Sequence, residues 1–255
     1  SIQTFKKTSN DLSGEIYYYQ NIPNEIKDMF PIMINYNPNQ KSYEMEKING
    51  IPISKLYLDQ ELTTENLDHI LNSIIRIHNC NFVRNKSINI YDNYIKKLKT
   101  RYENYDYSQF HYPTKNYFNI LENLVKYDDQ NKGHQSIIHG DPVFTNILIN
   151  SLGKIKFIDM RGKQGDKLSI QGDALYDWAK IYQSLIGYEE ILGGIILDNE
   201  YKSKIINHFM DKFTAIYGEE YIVWLKIITK SLLFSLIPLH EENSDRFYQL
   251  MSSIY

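Results

Sequence analysis

The chain has 255 residues, enough to bury a core as one large domain or two small ones without help from disulfides or metals. Its formal net charge of −3 is spread over interspersed acids and bases, which argues against the basic face that a nucleic-acid partner requires. The lone cysteine, Cys80, cannot form an internal disulfide, so a cytoplasmic location is the default expectation.

In chain order, SIQTFKKTS alternates weakly and reads as an edge strand. DLSGEIYYYQNI then has helical character, with Ser13 as cap and Glu15 in the first turn, until Pro23 interrupts it. A loop of Asn and Pro residues leads to a second strand around SYEMEKI, closed by Gly50 and Pro52. From Thr64 the period becomes helical, with Leu67, Ile70, Leu71, Ile74, Ile75 and His78 on one face. Further amphipathic helices are expected over 88–105 and 114–127. At Ile137 the pattern turns short and apolar. NILIN, a turn through Ser151 to Lys154, and KIKFIDM then form a β-hairpin. Helices resume near Asp173 and fill the remainder, with Gly218 as a helix stop. The most apolar late stretch, 222–239, is interrupted by Lys226 and Lys230. It reads as a buried helix, and no membrane partner is expected. The 22 tyrosines carry no functional signal of their own.

The informative block is IIHGDPVFTNILINSLGKIKFIDM. Asp141 ends an apolar run and opens a loop, Asn146 stands five residues on at the start of a strand, and Asp159 ends the returning strand. A hairpin of this length brings its two feet together, so three oxygen-bearing side chains converge. Such a set suits phosphoryl transfer. It offers hard oxygen ligands for Mg²⁺ and one carboxylate to orient the attacking hydroxyl or accept its proton.

The string H-G-D-x-x-x-x-N, with I-D closing the hairpin, resembles the catalytic and metal-binding loops of the aminoglycoside phosphotransferase and choline kinase family. The resemblance implies Asp141 as catalytic base, Asn146 and Asp159 as Mg²⁺ ligands, and His139 and Gly140 as loop-shaping residues. It extends to LYDWAKIYQSL, where Asp177 begins a core helix, and to RIHNC, where His78 ends an early one. TFKKTSND followed by GEIYYY resembles the family's Lys-bearing strand and Glu-bearing helix, whose ion pair orients the ATP phosphates. Glu15 is then the acid. Alternation lets only one of Lys6 and Lys7 face the cleft. Thr8 favours Lys7, and Phe5 favours Lys6. SYEMEKI resembles the hinge strand that reads adenine, through Glu46, Lys47 and Ile48, and fits an ordinary half-buried strand equally well.

What the resemblance implies is an α+β, protein-kinase-like two-lobe fold. Residues 1–50 would form a truncated, strand-bearing N-lobe, and residues 51–255 a mainly helical C-lobe carrying the catalytic hairpin. ATP and Mg²⁺ are the implied cofactors, and a small hydroxyl-bearing molecule is the implied acceptor. The catalytic loop lacks the Arg that precedes the catalytic Asp in protein kinases, and no A-P-E element follows Asp159. The Met160-Arg161-Gly162 run resembles family members from bacterial surface-polysaccharide, or capsule, gene clusters, which implies a sugar or polyol acceptor. Arg161 is a candidate anion contact or a plain surface residue. Glu241, Glu242 and Asp245 are a candidate site for a cationic acceptor or a solvated loop. Family members carry two strands and a phosphate-covering loop ahead of the lysine strand, which implies either that this sequence is part of a longer protein with an upstream domain or that the phosphates are covered differently. A nucleotide-binding pseudokinase and a nucleotidyl transferase would share this fold.

Overall fold

Residues 2–255 are described by the structure, a computed structural model. The chain divides into two units, one of residues up to Asn89 with Gln135–Asp177, the other of Ile90–His134 with Trp178–Tyr255.

In the first unit, strand β1 (Thr4–Thr8) pairs antiparallel with β3 (Ser42–Glu46), which also pairs with β2 (Met33–Tyr36). The sheet order β1-β3-β2 leaves β1 at an edge, as expected. Register separates the two lysines: Lys7 lies opposite Tyr43 and Lys6 opposite Glu44. Cross-strand partners share a face, so Lys7 sits with the buried Tyr43 and Lys6 with the opposite face. Helix α1 (Ser13–Asn21) follows and ends before Pro23, where the pre-proline residue Ile22 is extended. Ser13 does not cap it. Leu12 holds the cap position without a side-chain bond, and the Ser13 amide donates to Asp11 Oδ1 at 2.9 Å. A Cβ on Gly14 would collide with the Arg161 carbonyl, and one on Gly162 (φ 66°) with the Gly14 backbone, so two glycines let α1 touch the segment after Asp159.

Strand β2 lies in what the sequence presents as loop. Pro52, expected with Gly50 to close the β3 region, instead lies with Ile51 in β4 (Ile51–Pro52), an edge strand beside β6 (Ile147–Ile149) and β7 (Ile155–Phe157) in the order β4-β6-β7. Proline is tolerated there because an edge residue can forgo a ladder donor. Short α2 (Ile53–Leu58) leads to α3 (Thr64–His78), started by a reciprocal Thr63/Asn66 capping box. Helix α3 buries Leu67, Ile70, Leu71, Ile74 and Ile77, the stripe its period predicts, with Ile75 at the margin. Strand β5 (Gln135–Ile137) pairs with β10 (Gln171–Asp173), and β6 (Ile147–Ile149) with β7 (Ile155–Phe157) as the expected hairpin. An unanticipated two-residue ribbon, β8 (Lys163–Gln164) with β9 (Lys167–Leu168), turns at Gly165-Asp166.

The second unit is helical: α4 (Ile95–Asn104), α5 (Pro113–Asp129), the later part of α6 (Ala174–Gln183), α7 (Glu189–Gly193), α8 (Asn199–Tyr217), α9 (Ile222–Leu236) and α10 (Ser244–Ser252). Helix α4 begins seven residues later than its apolar period suggests, because 88–89 are irregular and 90–94 form a turn, although Ile88 and Tyr91 are buried. Gly218 stops α8 at φ 91°, as expected. Helix α9 packs against α4, α5 and α10 and buries Leu225, Ile228, Leu232 and Phe234. The stretch Glu219–Leu239 is long and apolar enough to cross a membrane by composition, yet more than half of it is buried within the protein. Many tyrosines serve this core. The Tyr107 ring stacks on Phe234 at 4.3 Å, and its hydroxyl donates to the Phe234 carbonyl at 2.7 Å, which removes the cost of burying it.

Candidate active site

All the motif residues fall in the first unit. The loop between β5 and β6 is held by backbone bonds to one buried carboxylate. Asp177, in the first turn of α6 and fully buried, accepts the His139 amide at 2.9 Å through Oδ2 and the Gly140 amide at 2.8 Å through Oδ1. His78 Nε2, at the end of α3, also reaches Asp177 Oδ2 at 2.8 Å. The carboxylate can only accept, so His78 donates. Three bonds compensate a charge that could not otherwise stay buried.

His139 continues the clamp. Its Nδ1 accepts the Asp141 amide at 3.0 Å, so Nε2 carries the hydrogen and donates to the Ile158 carbonyl at 2.9 Å. The ring therefore ties the β5–β6 loop to the end of β7. Burial lowers its pKa and outweighs the pull of Asp177, which keeps the imidazole neutral.

Asn146 ends a 3₁₀ turn just before β6 rather than lying in the strand. Its Nδ2 donates to the Asp141 carbonyl at 2.9 Å and to Asp141 Oδ2 at 3.3 Å. The Ile158 amide donates to the Asn146 carbonyl at 3.0 Å, which extends the β6–β7 ladder and sets Asp159 one residue beyond. Asp159 is therefore past the strand end, with φ 56°, a left-handed conformation uncommon for a non-glycine residue.

Lys7 joins these residues to β1 and α1. Its Nζ lies 2.6 Å from Glu15 Oε1 and 2.8 Å from Asp159 Oδ1. Burial by itself would lower the lysine pKa, but the bonds to Asp159 and Glu15 leave it raised. Burial raises Glu15, and Lys7 only partly counters it. Tyr19 and Tyr43 back the pair, their ring centroids 5.6 Å apart, and neither was singled out by the motif. The signal that finds Tyr43 is its position opposite Lys7, which needs the strand register.

Other expected residues are placed less centrally. Arg161 donates its amide to the His139 carbonyl at 3.1 Å and its Nη1 to the Tyr176 hydroxyl at 3.4 Å. In the expected hinge, the amides of Glu46 and Lys47 are used inside the sheet, by the Ile32 carbonyl at 2.9 Å and the Gln3 carbonyl at 2.8 Å. The Glu46 carboxylate turns back to the Ile32 amide at 3.0 Å. Glu241 and Glu242 lie in a short 3₁₀ turn, with Asp245 in the first turn of α10, in the second unit.

A fold of this kind is found among small-molecule kinases. The structure matches a choline kinase from Streptococcus pneumoniae at TM-score 0.64 and 13% identity, over 99% of this chain and 87% of that one. It matches a thermostable mutant of an aminoglycoside phosphotransferase at TM-score 0.67 and 11% identity, over 98% and 85% of the two chains. A third match, at TM-score 0.53 and 14% identity over 89% and 86%, is an aminoglycoside phosphotransferase from Streptomyces rimosus in complex with ADP and streptomycin. The likeness establishes the α+β kinase-like fold that the motif implied. No protein-family model matches the sequence, and no curated relative matches it.

Proposed function

We propose that the chain is an ATP- and Mg²⁺-dependent kinase that transfers the γ-phosphoryl group to a hydroxyl of a small acceptor, a sugar, amino alcohol or similar molecule. The observation that carries this reading is the Lys7 ammonium shared between Glu15 and Asp159, two residues from separate segments, in the same unit as the Asp141–Asn146 pair. The shared fold with kinases of small molecules supports it.

The donor set suits Mg²⁺. Asn146 spends its Nδ2 on Asp141 and so offers Oδ1, and Asp159 has Oδ1 on Lys7 and Oδ2 to offer. Two hard oxygens, one from the buried Asn146 and one from the partly exposed Asp159, suit an ion that retains waters and binds through substrate phosphates. Bound there, the ion would neutralise charge on the transferring phosphates. Lys7, held by Glu15, contacts the same phosphates. Asp141, fixed through its amide by His139, orients the acceptor hydroxyl and takes its proton, which is mainly a positioning task. In the hinge, Ile48 contributes its amide to the adenine edge, since those of Glu46 and Lys47 are engaged in the sheet. Arg161 lies beside the loop, where its fork can meet an anionic group of the substrate.

A panel of sugars, polyols, amino alcohols, amino acids and aminoglycosides, assayed for acceptor-dependent ADP release with and without Mg²⁺, tests the proposal. At least one acceptor should give Mg²⁺-dependent ADP and a product heavier by one phosphoryl group. ATP binding without ADP from any acceptor would overturn the kinase in favour of a nucleotide-binding pseudokinase. A product heavier by a nucleotidyl group would make the chain a nucleotidyl transferase.

A further inference from the structure

Two polar atoms behind the Lys7 ion pair, Glu15 Oε2 and the Tyr43 hydroxyl, are buried and lack a partner of good hydrogen-bond geometry. One is an acceptor and the other a donor, and the two groups lie close enough for each to act on the other's ionisation. Their placement follows from the sheet. Tyr43 is the residue directly opposite Lys7, on the same face, and it is 2% exposed. A buried hydroxyl and a buried carboxylate oxygen each carry a desolvation cost that one bond between them would remove.

We propose that Tyr43 is a positioning residue for the nucleotide site: its hydroxyl donates to Glu15 Oε2 and fixes the carboxylate so that Oε1 holds Lys7. This inference rests on the kinase reading and deepens it. Lys7 has two acceptors, Glu15 at 2.6 Å and Asp159 at 2.8 Å. With Glu15 anchored from behind, the ammonium has a fixed post and Asp159 can exchange Lys7 for another cation without the lysine leaving the cleft. Without that anchor, Glu15 is held on one oxygen only and Lys7 is drawn toward Asp159. Tyr19 does not substitute, because its hydroxyl is directed at Met45 Sδ at 3.5 Å. Tyr43 touches neither phosphate nor acceptor and acts through Glu15.

The test is Tyr43→Phe, with Tyr18→Phe as control, since Tyr18 carries another buried hydroxyl without a partner. In Tyr43→Phe the KM for ATP·Mg should rise about 3- to 10-fold, with kcat falling less, while Tyr18→Phe leaves that KM unchanged. A KM unchanged in Tyr43→Phe, or raised equally by Tyr18→Phe, would overturn the positioning role. The contact itself is read without turnover, by urea unfolding of Tyr43→Phe, Glu15→Ala and the double variant. Additive effects would refute the bond. Non-additive unfolding in a protein that binds no ATP would keep the bond, reject the kinase reading and with it the role in positioning nucleotide.

Discussion

The carboxylate of Asp177 accepts the Gly140 amide at 2.8 Å, so a residue in the first turn of α6 fixes the backbone of a loop 37 positions earlier. Together with the bond to the His139 amide, this makes Asp177 the base plate of the β5–β6 loop. Asp177→Asn would face an amide NH₂ toward groups that also donate. The loss should be roughly 3 kcal/mol of stability, measured by urea unfolding, because a buried acceptor for several donors is removed. A loss below about 0.5 kcal/mol, the range of ordinary surface changes, would mean that the clamp is dispensable.

The two adjacent lysines should separate cleanly. Lys7→Met removes the cation shared by Glu15 and Asp159, and ATP-dependent turnover should fall on the order of 100-fold or more. Lys6→Met, opposite Glu44 on the other face, should change it less than about twofold. Equal effects from the two variants would refute the assignment of the cleft lysine.

What the sequence could tell about these lysines marks the limit of reading by pattern. Alternation says that Lys6 and Lys7 point opposite ways, but which one faces inward depends on the partner strand, and only the Lys7–Tyr43 register settles it. The hairpin was legible because it is local. The turn of the β6–β7 hairpin sets Asn146 and Asp159 at its two feet, and the Asn146 side chain reaches back five residues to Asp141. Asp177 and His78 came from resemblance to the family, since a contact across 99 positions leaves no periodic trace. Strands β2 and β8 to β10 were missed for a related reason. Each is two to four residues long and becomes a strand only through its partner. At 88–94 the apolar period correctly forecast burial of Ile88 and Tyr91, and burial does not dictate a helical backbone.

The proposed mechanism gives Asp141 and the metal-side residues separate tasks, and kinetics can tell them apart. Asp141→Asn keeps the size of the side chain but cannot accept a proton. Its kcat should drop about 10²- to 10⁴-fold, while ATP·Mg binding, measured by calorimetry, stays near the wild-type affinity. A variant that turned over at the normal rate would remove Asp141 from the mechanism.

The contact between Gly14 and the Arg161–Gly162 backbone offers a test of how α1 is seated. Gly14→Ala puts a methyl where the Arg161 carbonyl already sits. Elsewhere in a helix alanine stabilises relative to glycine. Here the clash should win, lowering stability by about 1–3 kcal/mol and pushing Glu15 away from Lys7. Chemical denaturation gives the first effect and the KM for ATP the second. A more stable Gly14→Ala protein would show that α1 does not need this close approach.

His139 supplies a pH dependence whose sign follows from its burial. Above its ordinary pKa of 6.5 the imidazole is neutral in both folded and unfolded chains and costs nothing. As pH falls through 6.5, the unfolded chain takes up a proton that the fold resists, because the buried ring has a lowered pKa and its Nδ1 is already occupied by the Asp141 amide. Stability contributed by neutral His139 is therefore complete above pH 6.5 and drains away as pH drops toward the folded-state value. The slope from this one group is at most about 1.4 kcal/mol per pH unit. Urea unfolding at several pH values between 7.5 and 5 should show a steeper decline for wild type than for His139→Gln, whose side chain cannot take a proton. The comparison cancels titrations elsewhere in the chain, so parallel profiles would mean that His139 is protonated within the fold.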